Sequence, residues 1–413
     1  MRVLMLAPWP TRRFLHGGQL RAAAIIRTYR ARGHDVLCVG QYDATRVRPE
    51  DFEKQDYAVP PSIGDHVEPG DRNTEFAFWR ALARMPQSFD FYKALVREQR
   101  PDLLQFEEPY LWPLVHALRA DGALRGIPVL HSSYNFETDA KQEIRASGMA
   151  VTDQTMRDVA ATEQAIAAGA DAIVVVSEGD AAAFAAIGAR RVVIAHNGTE
   201  PPLCAPEHDE ALQGYLQGEP FALFVSSAHP PNAQGLTDTV EASDLVLRHG
   251  SLLVCGGVAG LLRAMPAFAE NQHVFRRTRL LGLVSGGLLG AMYRQARVII
   301  LPKTRGGGSN LKTAEALVSG RPIVATRRAF EGFERHLGSP GVTVADDPAM
   351  FWRQVAALLD APPESRPVRT AESTRDLLWR ACLDPMVDCA EALAGDSARV
   401  TLPEDVPRYR AAG

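Results

Sequence analysis

The chain has 413 residues, 46 % hydrophobic and 23 % charged, which excludes a single small module, a disordered chain and a fibrous one and leaves room for two or three domains. Its 45 Lys and Arg against 49 Asp and Glu give a net charge of −4, so a nucleic-acid partner has no electrostatic support. The five cysteines, Cys38, Cys204, Cys255, Cys382 and Cys389, form no C-x-x-C pair, which removes the usual marks of structural zinc and of a disulfide scaffold and points to a reducing compartment.

The opening MRVLMLAPWP is apolar, but a single arginine precedes the run and no small-residue cleavage site follows it, so it reads as a strand rather than a signal peptide. No stretch approaches the ~18 to 20 apolar residues that span a bilayer, and a cytoplasmic protein is expected. Short β-branched and leucine-rich runs follow at Val36 to Gly40, Leu103 to Phe106, Val129 to Ser132, Ala172 to Val176 and Arg191 to Ile194, most of them separated by alanine-rich stretches of helical period. The pattern restarts after the prolines at 201, 202 and 206, with strands expected at Phe221 to Val225, Leu252 to Cys255, Leu280 to Leu283, Val298 to Pro302, Ile323 to Thr326 and Val342 to Ala345. Apolar strands alternating with helices predict parallel sheets covered on both faces, and two such doubly wound units in tandem predict a ligand cleft between them. The segment from Gln41 to Phe91, rich in Pro, Asp and Gly, shows little periodicity and is expected to be a functional or mobile insertion.

Two loops carry the chemistry. After the first strand, WPTRRFLHGG leads to Gly17 and Gly18 at the start of a helix closed by Gly33. Small residues there let a ligand approach the free amides and the positive end of the helix dipole, although neither a dinucleotide-binding G-x-G-x-x-G nor a P-loop is present. The second loop is GGGSNLKTAEALVSGRPIVAT, residues 306–326, where Ser309 or Asn310 is the natural N-cap of a helix beginning near Leu311. Three glycines before a helix form an anion cradle, Lys312 adds a positive charge one turn in, and Glu315 can accept the vicinal hydroxyls of a ribose. The same Lys312 and Glu315 would also serve as an exposed i, i+3 pair on an outer helix face.

This block, together with RARGHDV, the HSSYNFE segment, ADAIVVVSEGD, the HNG at His196 to Gly198 and FVSSAHPPNAQGL, resembles the retaining glycosyltransferases of the GT-B fold, and within them family 4. The resemblance covers nearly the whole chain. It implies an α/β protein of two Rossmann-like doubly wound domains facing a central cleft. Residues 1–200 would form the acceptor-binding domain, residues 201–369 the donor-binding domain, and a final helix at about 370–395 would return to the first. It further implies transfer of a sugar from a nucleoside-diphosphate sugar, without metal, to a glycan, a lipid-linked or a small-molecule acceptor. A lipid-linked acceptor would bring peripheral contact with the inner membrane face.

Carried over residue by residue, Glu315 is expected on the ribose, and Gly307, Gly308, Ser309, Asn310, Leu311 and Lys312 on the diphosphate and sugar. Gly17 and Gly18 would close on the donor from the opposite domain. Asn197 and Arg305 are placed on the donor side, as is Ser227. Ser227 and Asn232 stand where many members have an arginine and a lysine, so Lys312 is expected to supply the missing charge. Position 307, where the family's first glutamate falls, is Gly307. His131 and Tyr134 match a pair of family histidines near the donor sugar and, with Lys312, are the catalytic candidates; Glu107, Glu108 and Asn135 are the acceptor-side candidates. The departures at Gly307, Ser227, Asn232 and Tyr134 leave open a non-catalytic sugar-nucleotide-binding protein, and the fold leaves open an epimerase or a phosphorylase.

Overall fold

The computed structural model describes residues 1–12, 16–43, 48–67, 74–146, 150–241, 247–266, 268, 276–305, 310–362 and 369–398. In chain order the first part comprises β1 (Arg2–Leu6), α1 (Gly17–Ala31), β2 (Asp35–Val39), β3 (Gln41–Asp43), β4 (Tyr57–Val59), α2 (Thr74–Arg84), α3 (Pro86–Gln99), β5 (Leu103–Glu107), α4 (Trp112–Ala120), β6 (Val129–Ser132), α5 (Glu137–Ala146), α6 (Asp153–Gly169), β7 (Ala172–Val175), α7 (Glu178–Ala186) and β8 (Val192–Ile194). The second comprises α8 (Pro206–Leu216), β9 (Phe221–Val225), α9 (Pro230–Glu241), β10 (Ser251–Cys255), α10 (Val258–Ala264), β11 (Thr278–Gly282), α11 (Gly286–Gln295), β12 (Val298–Leu301), α12 (Leu311–Val318), β13 (Ile323–Ala325), β14 (Val342–Val344), α13 (Pro348–Asp360) and α14 (Trp379–Ala398).

Six strands pair in the order β2-β1-β5-β6-β7-β8 and six more in the order β11-β10-β9-β12-β13-β14, every ladder parallel. Central strands such as β5, β6 and β9 are buried at every position, the pattern expected of strands covered by helices on both faces. In both sheets the order reverses beside the first strand of the unit, and the loops that follow β1, β5, β9 and β12 gather at those switch points.

The Gln41 to Phe91 segment, expected to be a functional or mobile insertion of little periodicity, carries regular structure. It contains β3 and β4, a parallel pair, and most of the two helices α2 and α3. Phe76, Ala77, Trp79 and Leu82 of α2 are buried, along the apolar face of a clearly amphipathic helix.

The last helix returns to the first sheet. Trp379, Leu383, Met386, Val387, Ala390 and Leu393 of α14 share one core with Val3, Met5, Ile25, Tyr29 and Leu103, and Arg32 at the end of α1 ties to Asp384, Asp388 and Glu391. The two chain crossings between the sheets run side by side: Thr199 N donates to Leu377 O at 2.9 Å and Trp379 N to Thr199 O at 3.1 Å. Gly198 is required there because a Cβ would stand 2.9 Å from the Trp379 backbone.

Candidate active site in the cleft

On the first sheet, β1 ends beneath a cluster built around Tyr134. Its ring lies 6.3 Å from that of Trp9, which packs edge-on against His16 at 4.6 Å, and the Arg21 guanidinium sits 5.6 Å from the Tyr134 ring centroid. Gly18 fits between these groups only because it lacks a side chain: a Cβ would lie 2.7 Å from Trp9 Cζ2 and 3.1 Å from Tyr134 Cε2. Arg21, on the inner face of α1, is 1 % exposed and donates to Ala195 O, His196 O and Asn197 Oδ1. Asn197 is thereby a partner of Arg21 beneath the cleft. Burial lowers the Arg21 pKa, and the charges of Tyr134 and Glu107 oppose that shift.

A buried chain of side chains supports this floor: Tyr29 Oη donates to Gln105 Oε1 at 2.6 Å, and Gln105 Nε2 to Glu107 Oε1 at 2.6 Å. Burial pushes the Glu107 carboxyl up, opposed by the bond from Gln105. The remaining oxygen, Glu107 Oε2, and the hydroxyls of Ser132 and Tyr134 are all buried, and none meets a partner at hydrogen-bond geometry. Glu108, the next residue, takes φ 64°, a backbone region that non-glycine residues rarely enter and that clusters at functional sites. Ser133 Oγ donates to Asn135 O, and Asn135 Nδ2 reaches Glu137 Oε1 at 3.5 Å.

His131, read above as a catalytic candidate, is fully buried: it stacks on Phe106 at 4.5 Å and meets Phe184 edge-on at 6.2 Å. Burial depresses its pKa to about 3, so the ring is neutral and sits in the core behind the cleft floor. The periodicity of β6 explains this, because adjacent strand residues point to opposite faces of the sheet.

On the second sheet, Asn310 caps α12 by accepting from Lys312 N at 3.2 Å. Lys312 Nζ lies 3.1 and 3.2 Å from the two Glu315 oxygens, and Tyr293 Oη donates to Glu315 Oε2. Burial and the neighbouring Glu315 charge raise the Tyr293 pKa, so the phenol stays a donor. The Lys312–Glu315 pair is half-buried, and its carboxylate keeps lone pairs for further donors. Gly307, Gly308 and Ser309 lie outside the described residues. Leu311 reaches across to α1, where a Cβ on Gly17 would stand 2.7 Å from its Cδ1.

A small open pocket, with room for about one water in its enclosed part, lies beside the start of α12, lined by Ser226, Asn232, Pro302, Lys303, Asn310 and Lys312 among others. Asn232 Nδ2 bonds to Ser227 O and Oγ, which keeps both residues in the β9–α9 loop occupied with each other. Arg305 is half-exposed and faces Asp238 at 3.4 Å. Lys303, which with Arg305 precedes the glycine loop and from the sequence could point either way, has its largely buried ammonium 2.7 Å from Glu331 Oε2, and burial lowers its pKa. Glu331 also meets Arg328 at 3.3 Å, and Arg328 in turn pairs with Glu143 of α5. No group of three or more His, Cys, Asp or Glu side chains that could hold a metal is present among the described residues. Among those residues no helix is long and apolar enough to cross a membrane.

Comparison with known proteins fits this arrangement. Residues 16–198 match the glycosyl transferase 4-like domain, and residues 219–361 match the glycosyl transferases group 1 family. None of the curated proteins matches the sequence. Among solved structures, the sucrose-phosphate synthase from Thermosynechococcus elongatus aligns with a TM-score of 0.70 at 16% identity, over 96% of this chain and 100% of its own. An alpha,alpha-trehalose 6-phosphate synthase from Burkholderia multivorans aligns with a TM-score of 0.62 at 16% identity, over 98% and 99%. An E. coli trehalose-6-phosphate structure bound with UDP-2-fluoro glucose gives 0.58 at 13%, over 99% and 100%. Two parallel-sheet units, the first matched by the glycosyl transferase 4-like domain and the second by glycosyl transferases group 1, make the chain a glycosyltransferase with the GT-B fold.

Proposed function

We propose that the chain transfers a sugar, with net retention, from a nucleoside-diphosphate sugar held on the second sheet to an acceptor held on the first. The observation that carries this reading is the meeting of Gly17 and Leu311. The N-terminal ends of α1 and α12, from opposite sheets, share one volume beside the pocket of Lys303, Asn310 and Lys312. Two positive dipole ends and lysine charge favour a polyanion there. Glu315 accepts from the ribose, and the loop that contains Gly307, Gly308 and Ser309 presents amides to the diphosphate. Tyr134, at the edge of Gly18, faces the transferred sugar.

As the glycosidic bond breaks, its electron pair leaves on the diphosphate, and stabilising that charge lowers the barrier selectively. No protein nucleophile is assigned, because Glu107 is bonded to Gln105 and lies below Tyr134. Asn135 stands on the acceptor side, over Glu107, Glu108 and His131, which are buried behind it rather than placed to meet an acceptor. The structural neighbours, a sucrose-phosphate synthase and a trehalose 6-phosphate synthase, support a phosphorylated small sugar as one acceptor class to try. Incubation with uridine, guanosine and adenosine diphosphate sugars and a panel of free and phosphorylated sugars, followed by NMR of the product's anomeric proton, is the test. The expected product keeps the donor's anomeric configuration; inversion overturns the retaining mechanism, and nucleotide binding without turnover on any acceptor favours a sugar-nucleotide sensor.

A further inference from the structure

Of the cations that line the pocket beside α12, one is placed to change partners. The wall beyond β9 presents Ser226 and, from the first turn of α9, Asn232, and burial lowers the pKa of His229 in the loop between them, so positive charge comes from Lys303 and Lys312. Lys312 is held by both oxygens of Glu315, three residues along the same helix. Lys303 has a different situation. Its side chain is only 12% exposed, and its carboxylate partner, Glu331, is shared with Arg328, whose Nε lies 3.3 Å from Glu331 Oε1. If Lys303 leaves, Glu331 keeps a counter-charge. Glu143 also acts on this ammonium, but a largely buried ammonium that gives up the carboxylate it touches is best stabilised by another anion in contact. The pocket that Lys303 lines is the one beside the α12 N-terminus, where a phosphate is favoured.

We propose that Lys303 exchanges Glu331 for the diphosphate of the bound donor and so supplies the cationic contact that the β9–α9 loop lacks, with Glu331 passing to Arg328. This rests on the donor reading above. A consequence reaches the first sheet, because Arg328 also pairs with Glu143 of α5. A stronger hold of Glu331 on Arg328 competes with that contact across the cleft.

The test is calorimetric titration with uridine, guanosine and adenosine diphosphates, each against its nucleoside, on the full chain and four variants. Lys303→Met is expected to weaken the preferred diphosphate at least tenfold while nucleoside binding stays within twofold, and Lys303→Arg to recover most of the loss. Glu331→Gln removes the competing carboxylate and is expected to tighten diphosphate binding severalfold, an effect that vanishes when Lys303→Met is added. Equal losses for nucleoside and diphosphate, or a Glu331→Gln variant that binds no tighter, would show that Lys303 only holds Glu331, and would overturn the exchange. If none of the diphosphates binds the unaltered chain, the donor reading falls and the exchange with it. Binding that does not depend on residue 303 overturns the exchange alone.

Discussion

Gly17, in the first turn of α1, stands so close to Leu311, the first residue of α12, that a Cβ on it would lie 2.7 Å from the leucine Cδ1. The leucine tip can give way to one methyl but not to a branched side chain. Gly17→Val is therefore expected to hold the two helix ends apart and to lower kcat/KM by about tenfold or more, since small displacements of reacting groups carry large rate penalties. Its melting temperature should stay within about 2 °C of the parent's, because the contact lies at a surface between two cores. Steady-state kinetics of Gly17→Val with Leu311→Ala check the cause, since the shorter side chain should restore much of the rate.

Lys312→Ala and Glu315→Gln separate two roles on one helix. Loss of Lys312 should weaken nucleoside diphosphate more than nucleoside and lower kcat as well as kcat/KM. Loss of the Glu315 charge should weaken both ligands alike, by about 1.5 to 3 kcal/mol for a charge-assisted ribose bond. Thermal-shift titration measures both. Identical profiles for the two variants would mean that the pair acts only as a structural ion pair.

Glu163 sets a pH dependence. Its carboxylate accepts from Glu137 N, Thr138 N and Thr138 Oγ1 at the start of α5, and burial raises its pKa from 4.5 to about 7. The folded state thus binds the proton more tightly than the unfolded one. The stability this contributes is full below about 4.5 and is lost as pH rises through about 7. Relative to Glu163→Gln, the parent should lose on the order of 2 to 3 kcal/mol across that window. Urea melts at steps of half a pH unit measure it, and parallel curves for the two proteins would refute it.

Arg21→Met should destabilise by about 3 to 5 kcal/mol, because it strands the Ala195 and His196 carbonyls and the Asn197 amide that the guanidinium now satisfies. Lysine at 21 cannot reproduce three such bonds and should recover only part of the loss. Denaturant unfolding of both variants is the measurement.

Excess EDTA should leave transfer within about twofold of the untreated rate, on the argument that helix amides and lysines offset the diphosphate charge. A collapse reversed by Mg²⁺ or Mn²⁺ would require a metal in the donor site.

The strands are readable because parallel strands buried on both faces are short apolar runs: β6 and β9 agree with the expected bounds, and β2 differs by one residue at each end. The helix start was readable from its polar residues, which left Ser309 or Asn310 as the cap; the structure has Asn310. The partners of Arg21 and Lys303 were not. Asn197 lies 176 positions from Arg21, and Glu331 lies 28 from Lys303, so only the closed fold brings them together. The helices α2 and α3 escaped notice because their burial is against tertiary neighbours, and the Pro, Asp and Gly around them mask a helical period. His131 shows the opposite error: a motif match reports the position of a residue but not the direction of its ring.

The return of α14 fixes an order of events during synthesis. Val3, Met5 and Ile25 share a core with Leu383, Val387 and Leu393, residues translated more than 350 positions later. At about 5 to 20 residues per second, a nascent first sheet waits on the order of 10 to 40 s after its last strand emerges before that face can be covered. Throughout that interval an apolar surface of the half-made enzyme is open to other chains. Overproduction at lower temperature, or with a holding chaperone that shields the face, should therefore raise the soluble yield more than any change made to the second sheet.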